Sequence, residues 1–181
     1  MRQLQEVASA SPRRAILGDA ERIASFAKWS FCTTFDYIAY SEEDLQRHCD
    51  TKLSAAYFEA AIAAGEVWLA TQADVCVGYC QLAALNLPVA KPLTPCREIV
   101  RLYIHPDWQG GGLADAFMRQ MLFNCADEHV YLGVYSENTR AQRFYARYGF
   151  RKIGEYDYYV GSHIDREWIL HRDSAYRQPS D

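Results

Sequence analysis

The chain has 181 residues, half of them hydrophobic, which suits a single globular domain with a sizeable core. Its formal net charge of -4 disfavours nucleic acid as a partner, because such binding depends on the neutralisation of phosphates by lysine and arginine. No apolar run approaches the roughly 20 residues of a membrane helix, and the N-terminus lacks the apolar core of a secretory signal.

The N-terminal third of the chain is predicted to be mostly helical. Residues 1–12 are polar and are expected to form a flexible tail. Apolar residues at helical spacing follow Asp19, which can cap the first helix. The stretch SEED at 41–44 is a Ser-x-x-Asp capping signal for a second helix. A third helix is expected to stop at Gly65.

The pattern then changes from helical spacing to strand-like runs. Two such runs, 66–71 and 75–85, are separated by a short polar turn and predict a hairpin. Gly78 inside the second run indicates a bulge or a close approach by another group. A loop with three prolines covers 86–96, and the run REIVRLYI at 97–104 is predicted to be the next strand.

In the second half of the chain, predicted helices alternate with strands. The helices are expected at 113–125 and 136–150, and the strands at 130–135, 151–160 and 163–170. This order predicts one α/β domain over residues 13–173, in which helices flank a mixed sheet. A C-terminal tail is expected at 174–181.

The six cysteines form no CxxC pair, and none has a histidine at zinc-ligand spacing. We therefore expect free thiols in a reducing cytoplasm, and no metal site.

Three consecutive glycines, Gly110-Gly111-Gly112, lie between a predicted strand and a predicted helix. The exposed N–H groups and the positive end of the helix dipole would together suit an anion. A P-loop needs Gly-Lys-Ser/Thr and the dinucleotide motif needs a glycine at position 115, where Asp115 stands, so both motifs fail. Either a phosphate is held by the backbone alone, or the glycines form a tight turn without a ligand.

Two motifs resemble the signatures of the GNAT superfamily of acyl-CoA N-acyltransferases. The stretch QGGGLA at 109–114 resembles the Q/R-x-x-G-x-G/A loop, and LGVYSENTRAQRFYARYGF at 132–150 resembles the second signature. The segment EYDYYVGSHIDREWIL at 155–170 is similar to the end of bacterial polyamine acetyltransferases of the PaiA type. The resemblance covers about residues 13–171. It implies a single GNAT-type domain whose mostly antiparallel central sheet is splayed between its fourth and fifth strands.

The resemblance implies acetyl-CoA as co-substrate, with its pyrophosphate on the glycine turn and its pantetheine arm paired with the preceding strand. The implied coenzyme-binding residues are Leu102, Tyr103, Ile104, Gln109, Gly110, Gly111, Gly112, Leu113, Ala114, Asp115, Asn138 and Tyr145. Many family members have glycine where this chain has Ala114, which the motif tolerates. Asn138 has a second explanation, since asparagine is also a common helix cap.

Acetyl transfer requires a neutral amine, and a free alkylamine with a pKa of about 10.4 costs roughly 4.6 kcal/mol to deprotonate at pH 7. The leaving thiolate also benefits from a proton. By resemblance Tyr145 is the acid, although a core tyrosine would show the same helical spacing. Some relatives carry a glutamate, which acts as the general base, at the position that Gly133 occupies in this chain. The candidate base here is therefore Glu98, with His163 and Glu155 as weaker alternatives, and an ordinary surface glutamate is the competing explanation for Glu98.

The acceptor pocket is predicted from aromatic residues at the end of the first helix and on the penultimate strand. The predicted substrate-binding residues are Phe31, Thr34, Phe35, Tyr156 and Tyr158. Strand alternation places Tyr156 and Tyr158 on one face and Tyr159 on the other. Ordinary packing of core and edge would also explain these aromatic side chains.

The sequence therefore predicts a cytoplasmic N-acetyltransferase that acts on a primary amine of a small molecule, with a polyamine as the first choice. Transfer is expected to be direct, in a ternary complex. The alternatives are an acetyltransferase for protein N-termini or lysines, and a coenzyme-A-binding sensor without turnover. A homodimer through the last strands agrees with the resemblance.

Overall fold

A computed structural model describes residues 10–176 of the chain. Within this part, the helices are α1 (Ala20–Thr34), α2 (Glu42–Lys52), α3 (Ala55–Ala63), α4 (Leu113–Asn124) and α5 (Thr139–Ala146). The strands are β1 (Arg13–Arg14), β2 (Val67–Gln72), β3 (Val75–Ala83), β4 (Cys96–Ile104), β5 (His129–Tyr135), β6 (Arg151–Val160) and β7 (His163–Arg172). Most of both predicted tails lies outside the described residues. Ala10 and Tyr176, which do not, contact the rest of the domain.

The strands form one sheet in the order β1-β2-β3-β4-β5-β7-β6. All neighbouring strands are antiparallel except β4 and β5, which run parallel. The parallel pair is short, because it begins at Cys96 and ends where Glu98 lies opposite Tyr131. Beyond that point β4 and β5 separate. The predicted mixed sheet with a splay between its fourth and fifth strands is therefore confirmed.

Two hydrophobic cores lie on opposite faces of the sheet. On the α4–α5 face, the fully buried side chains include Phe117, Met118 and Met121 of α4. On the α1–α3 face, Ile23 of α1 and Phe58 of α3 are fully buried against the sheet. Each such side chain contributes roughly 1.5–3 kcal/mol through removal from water. These cores hold helices against both faces of the sheet, so that helices lie above and below the gap between β4 and β5.

A bulge in β4 sets which of its side chains reach each face. Gln81 pairs with Arg101 but the next residue, Leu82, pairs with Ile99, so Val100 is the extra residue. Ile99 packs in the core of the α4–α5 face, whereas Tyr103 packs on the α1–α3 face. The bulge lies just after the last pair between β4 and β5, where the gap begins.

Gly78 of β3 shows both features that its position predicted. The ladder between β2 and β3 slips beside it, since Ala70 pairs with Gly78 and Thr71 pairs with Cys76. A Cβ atom at Gly78 would also lie 2.9 Å from Ile104 Cδ1. A larger residue there would displace the end of β4.

Several local predictions are confirmed. Ser41 caps α2 by accepting a hydrogen bond from the N–H of Asp44, and α3 ends just before Gly65, whose φ is +72°. The hairpin between β2 and β3 turns through Ala73 and Asp74, both with positive φ.

Other local predictions were wrong in detail. Asp19 lies at the N-cap of α1 but makes no capping bond. Its carboxylate instead accepts from the Arg13 guanidinium at 2.8 and 2.9 Å and from the N–H of Ile16 at 2.9 Å. The helix expected at 136–150 covers only Thr139–Ala146, because Asn138 caps its start and Gly149 (φ +85°) lies in the turn after its end.

Candidate active site

The glycine turn joins β4 to α4, and two of its residues need glycine for conformational reasons. Gly110 and Gly112 have φ values of +80° and +85°, which L-residues rarely adopt. A Cβ atom at either residue would meet nothing within 4 Å, so the backbone here is open to a ligand. The N–H of Ala116 makes the first bond of the helix, to the C=O of Gly112. The three N–H groups before it, from Leu113 to Asp115, have no helical acceptor and suit a phosphate.

Side chains from three elements hold this turn in place. Gln109 donates from Nε2 to the C=O of Ile104 at 3.0 Å and accepts from Arg140 of α5. The Asp115 carboxylate accepts from the Tyr148 hydroxyl and from Arg147 Nη2 at 3.1 Å. The side chain of Asp115 is thus tied to the residues just after α5, and these bonds do not use its backbone N–H.

The outer half of β4 has one unpaired edge. Leu102, Tyr103 and Ile104 pair with β3, opposite Cys80, Tyr79 and Gly78. On their other side they have no strand partner among residues 10–176, because β5 pairs with β4 only as far as Glu98. Free N–H and C=O groups along this edge can pair with an extended amide-containing ligand.

A shallow cleft runs along the end of β4 towards the glycine turn. It is lined by Trp29, Ser30, Thr33, Thr34, Tyr103, Ile104, Pro106 and Gln109. The structure therefore brings together three predicted coenzyme-binding residues and one predicted substrate-binding residue, Thr34.

Asn138 fulfils the capping role that was the alternative explanation for it. Its Oδ1 accepts from the N–H of Ala141 at 3.0 Å. The side-chain amide nitrogen has two further hydrogens to donate. A contact between Asn138 and the coenzyme arm therefore stays a prediction that is compatible with the cap.

Tyr145 lies on α5, with its ring against Phe144 and Phe150. Burial raises the pKa of its hydroxyl, and the nearby Cys80 and Glu167 raise it further. The phenol therefore keeps its proton at neutral pH. Within residues 10–176 the hydroxyl makes no hydrogen bond. The hydroxyl is thus a protonated donor close to Cys80 of β3 and Glu167 of β7, and its role as the acid stays a prediction.

Glu98 is buried, at 7% exposure, where β4 and β5 last pair. Its Oε2 accepts from the N–H groups of Asn86 and Leu87 at 2.7 and 3.1 Å. Burial raises the pKa of the carboxyl, whereas these two bonds oppose the shift. Glu98 thus fixes the start of the loop after β3, and it is not the surface glutamate of the competing explanation.

Sequence reasoning missed a second acid beside the gap, the partly buried Glu167 on β7. The Tyr156 hydroxyl donates to its Oε2, and a Cβ atom at Gly133 would lie 2.6 Å from the same oxygen. The pKa of Glu167 is raised to about 7, chiefly by burial and also by the charges of Asp165 and Glu98, although the hydrogen bond from Tyr156 lowers it. Alternation along HIDREWIL places Asp165, Glu167 and the buried Ile169 on one face of β7, which was the available signal.

The predicted acceptor residues fall into two groups. Phe31 is buried in the core of the α1–α3 face, with its ring centroid 4.5 Å from that of His48. Phe35 lies edge-on to Tyr135 of β5, with ring centroids 6.1 Å apart. Its ring therefore reaches the strand that borders the gap.

On β6 the predicted alternation is confirmed. Tyr156 and Tyr158 are partly buried on the α1–α3 face, and Tyr159 is 60% exposed. Beside them, Asp165 accepts from the Tyr40 hydroxyl at 2.5 Å and lies 3.2 Å from His163 Nε2. Tyrosines and carboxylates together form this wall, which suits a cationic ligand.

Residues 10–176 contain no group of three or more His, Cys, Asp or Glu side chains that could hold a metal ion. In the same part of the chain, no helix has both the length and the apolar character needed to cross a membrane. The cysteines described there, Cys32, Cys49, Cys76, Cys80, Cys96 and Cys125, are free.

A splayed mixed sheet with a glycine turn at a helix N-terminus defines an α/β domain of the GNAT type. The model of the acetyltransferase (GNAT) family matches residues 26–150, and the chain belongs to this family. Among curated proteins, an uncharacterized N-acetyltransferase of Mycobacterium tuberculosis is 38% identical over 79 residues, which are 42% of this chain and 51% of that protein. A GCN5-like protein acetyltransferase of the same species is 33% identical over 94 residues, which are 50% of this chain and 44% of that protein. The chain spans about half the length of the curated relatives that it matches.

Solved structures share the fold at low sequence identity. PaiA N-acetyltransferase of Thermoplasma acidophilum, solved with coenzyme A, has a TM-score of 0.68 at 19% identity, covering 91% of this chain and 99% of that one. YncA of Salmonella typhimurium, solved with acetyl-CoA, has a TM-score of 0.64 at 17% identity, covering 96% and 99%. Arabidopsis thaliana Naa50, with a bisubstrate analogue, has a TM-score of 0.59 at 20% identity, covering 92% and 99%.

Proposed function

We propose that the chain is an acetyl-CoA-dependent N-acetyltransferase that acts on a primary amine of a small molecule, with polyamines such as spermidine as the first candidates. The observation that carries this proposal is the gap between β4 and β5. The glycine turn lies at the open end of β4. The Tyr145 hydroxyl lies close to Cys80 on the β4 side of the gap and to Glu167 on the β5 side. Membership of the GNAT family supports the same reaction.

The geometry fits coenzyme A in two places. The N–H groups from Gly110 to Asp115 would bind the pyrophosphate, and the unpaired edge from Leu102 to Ile104 would pair with the amides of the pantetheine arm. The coenzyme supplies the acetyl group as a thioester. Two relatives of the fold were solved with coenzyme A or acetyl-CoA, which supports the assignment.

Tyr145 would give its proton to the departing sulfur, and a positioned acid of this kind contributes on the order of 10²–10⁴ in rate. Transfer would be direct, without an acetylated enzyme. Cys80, the thiol near Tyr145, is fully buried and its pKa is raised by that burial. A buried, protonated thiol is a poor nucleophile.

The wall of the α1–α3 face supports a cationic small-molecule acceptor. Tyr156 and Tyr158 lie beside Glu167 and Asp165 on the last two strands. Carboxylates and aromatic rings both stabilise ammonium groups. Spermidine and spermine carry several such groups along one chain, and so match a wall with more than one carboxylate.

A second candidate is acetylation of protein N-termini or lysines. The relative from Mycobacterium tuberculosis that is described as a GCN5-like protein acetyltransferase favours it, as does the Naa50 complex. The proposal also includes a cytoplasmic location, in keeping with the free cysteines. A homodimer through the last strands, of which β6 lies at one edge of the sheet, stays a prediction.

The two acceptor classes separate in one assay. Coenzyme A release from acetyl-CoA would be followed with spermidine, spermine, a peptide with a free N-terminus and an N-terminally blocked lysine peptide. Turnover at least tenfold faster with spermidine or spermine would support the small-amine proposal. Faster turnover with a peptide would replace it by protein acetylation. Tight acetyl-CoA binding without turnover of any acceptor would favour a coenzyme-A sensor.

A further inference from the structure

We propose that Glu167 is the general base that removes a proton from the acceptor amine, and that Tyr156 and Gly133 are positioning residues for its carboxylate. This inference rests on the proposed function and assigns the base of that same site.

Glu167 occupies space that a side chain on β5 would otherwise fill. A Cβ atom at Gly133 would lie 2.6 Å from Glu167 Oε2 and 2.5 Å from the Tyr156 hydroxyl. Gly133 pairs with Ile169, two residues along β7 from Glu167, so the carboxylate lies diagonally over the bare strand. The absence of a side chain at Gly133 therefore lets an acid from β7 reach β5 where that strand leaves β4.

Glu167 and Tyr145 approach the gap from different elements. Tyr145 belongs to the core of the α4–α5 face, whereas Glu167 lies beside Tyr158 and Tyr103, which pack on the α1–α3 face. Glu167 is nevertheless close enough to raise the pKa of Tyr145. A base on one side of the gap and an acid on the other is the arrangement that direct transfer needs, because the amine nitrogen attacks the acetyl carbon from one side and the sulfur leaves from the other.

The other two acids of the site are more fully engaged. Glu98 binds two backbone N–H groups through Oε2, and Asp165 accepts from the Tyr40 hydroxyl while lying beside His163. Glu167 accepts one hydrogen bond, from Tyr156, and its Oε1 accepts none from any residue in the described part of the chain. Glu167 is also only partly buried, so this oxygen is available to an incoming ammonium group.

The proton count closes with these two residues. The ammonium group loses two protons as its nitrogen bonds to the acetyl carbon and the carbon–sulfur bond breaks. One proton goes to Glu167 and from there to water. The other replaces the proton that Tyr145 gives to the sulfur. The products are the N-acetylated amine, coenzyme A with its free thiol, and one proton.

The surroundings of Glu167 place the pKa of its carboxyl near neutral pH. Its pKa is raised to about 7: burial is the main cause, the bond from Tyr156 lowers the pKa, and the carboxylates of Asp165 and Glu98 raise it. The other titratable groups that sense its charge are the tyrosines Tyr103 on β4, Tyr145 on α5 and Tyr158 on β6. An ionised Glu167 is needed, so kcat/KM should fall as the pH drops below about 7.

The test compares wild type, Glu167→Gln and the control Glu59→Gln, which changes an exposed glutamate on α3. Coenzyme A release would be measured with spermidine, or with the best acceptor of the panel, from pH 5.5 to 9. Acetyl-CoA affinity would be measured by calorimetry. We expect Glu167→Gln to lower kcat/KM about 100-fold or more at pH 7, with the acetyl-CoA Kd unchanged. The defect should narrow at pH 9, since more of the amine is neutral in solution.

A second variant, Tyr156→Phe, guards against a merely structural effect. It removes the hydrogen bond that lowers the pKa of Glu167, so the acidic limb of the profile should move to higher pH. Wild-type turnover that Glu167→Gln leaves unchanged would overturn the role of Glu167 and keep the proposed function. A full loss with an acidic limb that Tyr156→Phe does not move would also overturn it. Acetyl-CoA binding by wild type without turnover would overturn both.

Discussion

The raised pKa of Glu167 makes a prediction about stability that does not depend on any substrate. A carboxyl with an ordinary pKa of 4.5 in the unfolded chain and about 7 in the folded protein binds more protons when folded. Stability then falls as the pH rises through that window. Between pH 5 and pH 8 the two pKa values correspond to a loss of roughly 2.5 kcal/mol of unfolding free energy. Glu167→Gln removes this loss.

The assay is urea unfolding, or thermal unfolding, of wild type and Glu167→Gln at pH 5, 6, 7 and 8. We expect the stability of the variant relative to wild type to increase by roughly 2.5 kcal/mol across this range, equivalent to roughly 5–10 °C in Tm. His48, whose pKa burial lowers to about 4, titrates in both proteins and cancels in the difference. Glu59→Gln should run parallel to wild type. Parallel curves for wild type and Glu167→Gln would refute the reasoning, because they would mean that Glu167 has an ordinary pKa.

Three further predictions concern single residues of the site. Gly112→Ala should cost about 1–2 kcal/mol of stability, because Gly112 has a φ of +85°, and thermal unfolding should show a Tm loss of a few degrees. The neighbouring Gly111→Ala should be nearly neutral, and equal losses in the two variants would contradict this reasoning. Asn138→Ala should lose the cap of α5 and about 1 kcal/mol of unfolding free energy, whereas Asn138→Asp should keep both the cap and the Tm. If calorimetry shows no loss of acetyl-CoA affinity in Asn138→Asp, the side-chain amide does not contact the coenzyme. Gly133→Ala should displace the ends of two side chains and lower kcat at least tenfold with little change in Tm, and unchanged kcat would count against the position of the base.

The order of helices and strands could be predicted from local patterns, because each pattern depends only on residues that are neighbours in sequence. The spacing of apolar residues, the cap at Ser41 and the helix end before a glycine were enough to predict α2, α3 and the hairpin of β2 and β3. Asp19 shows where local reasoning ends. The residue is a good cap, but Arg13 of the short strand β1 binds its carboxylate instead. That contact exists only because β1 joins the sheet beside β2.

The elements of the proposed coenzyme site were predictable, since the strand, the glycine turn and the helix are contiguous in sequence. The position of the proposed base, Glu167, was not. Glu167 reaches the gap because β5, β7 and β6 lie side by side in one register, which places it between Gly133 and Tyr156. Strand order and register are set by the whole sheet, so no spacing along the chain indicates this contact. The sequence pointed to Glu98, which stays a predicted candidate and lies close enough to raise the pKa of Glu167.

The measurement that tests the central claim most directly is coenzyme A release from acetyl-CoA by wild type, Tyr145→Phe and Tyr159→Phe, with acetyl-CoA affinity measured in parallel. Tyr159 is an exposed tyrosine on β6 and serves as the matched control. We expect turnover by wild type and by Tyr159→Phe, a loss of at least tenfold in kcat for Tyr145→Phe, and the same acetyl-CoA Kd in all three. Equal turnover by Tyr145→Phe would contradict transfer with Tyr145 as the acid, and failure of wild type to bind acetyl-CoA would contradict the account of the glycine turn and the gap.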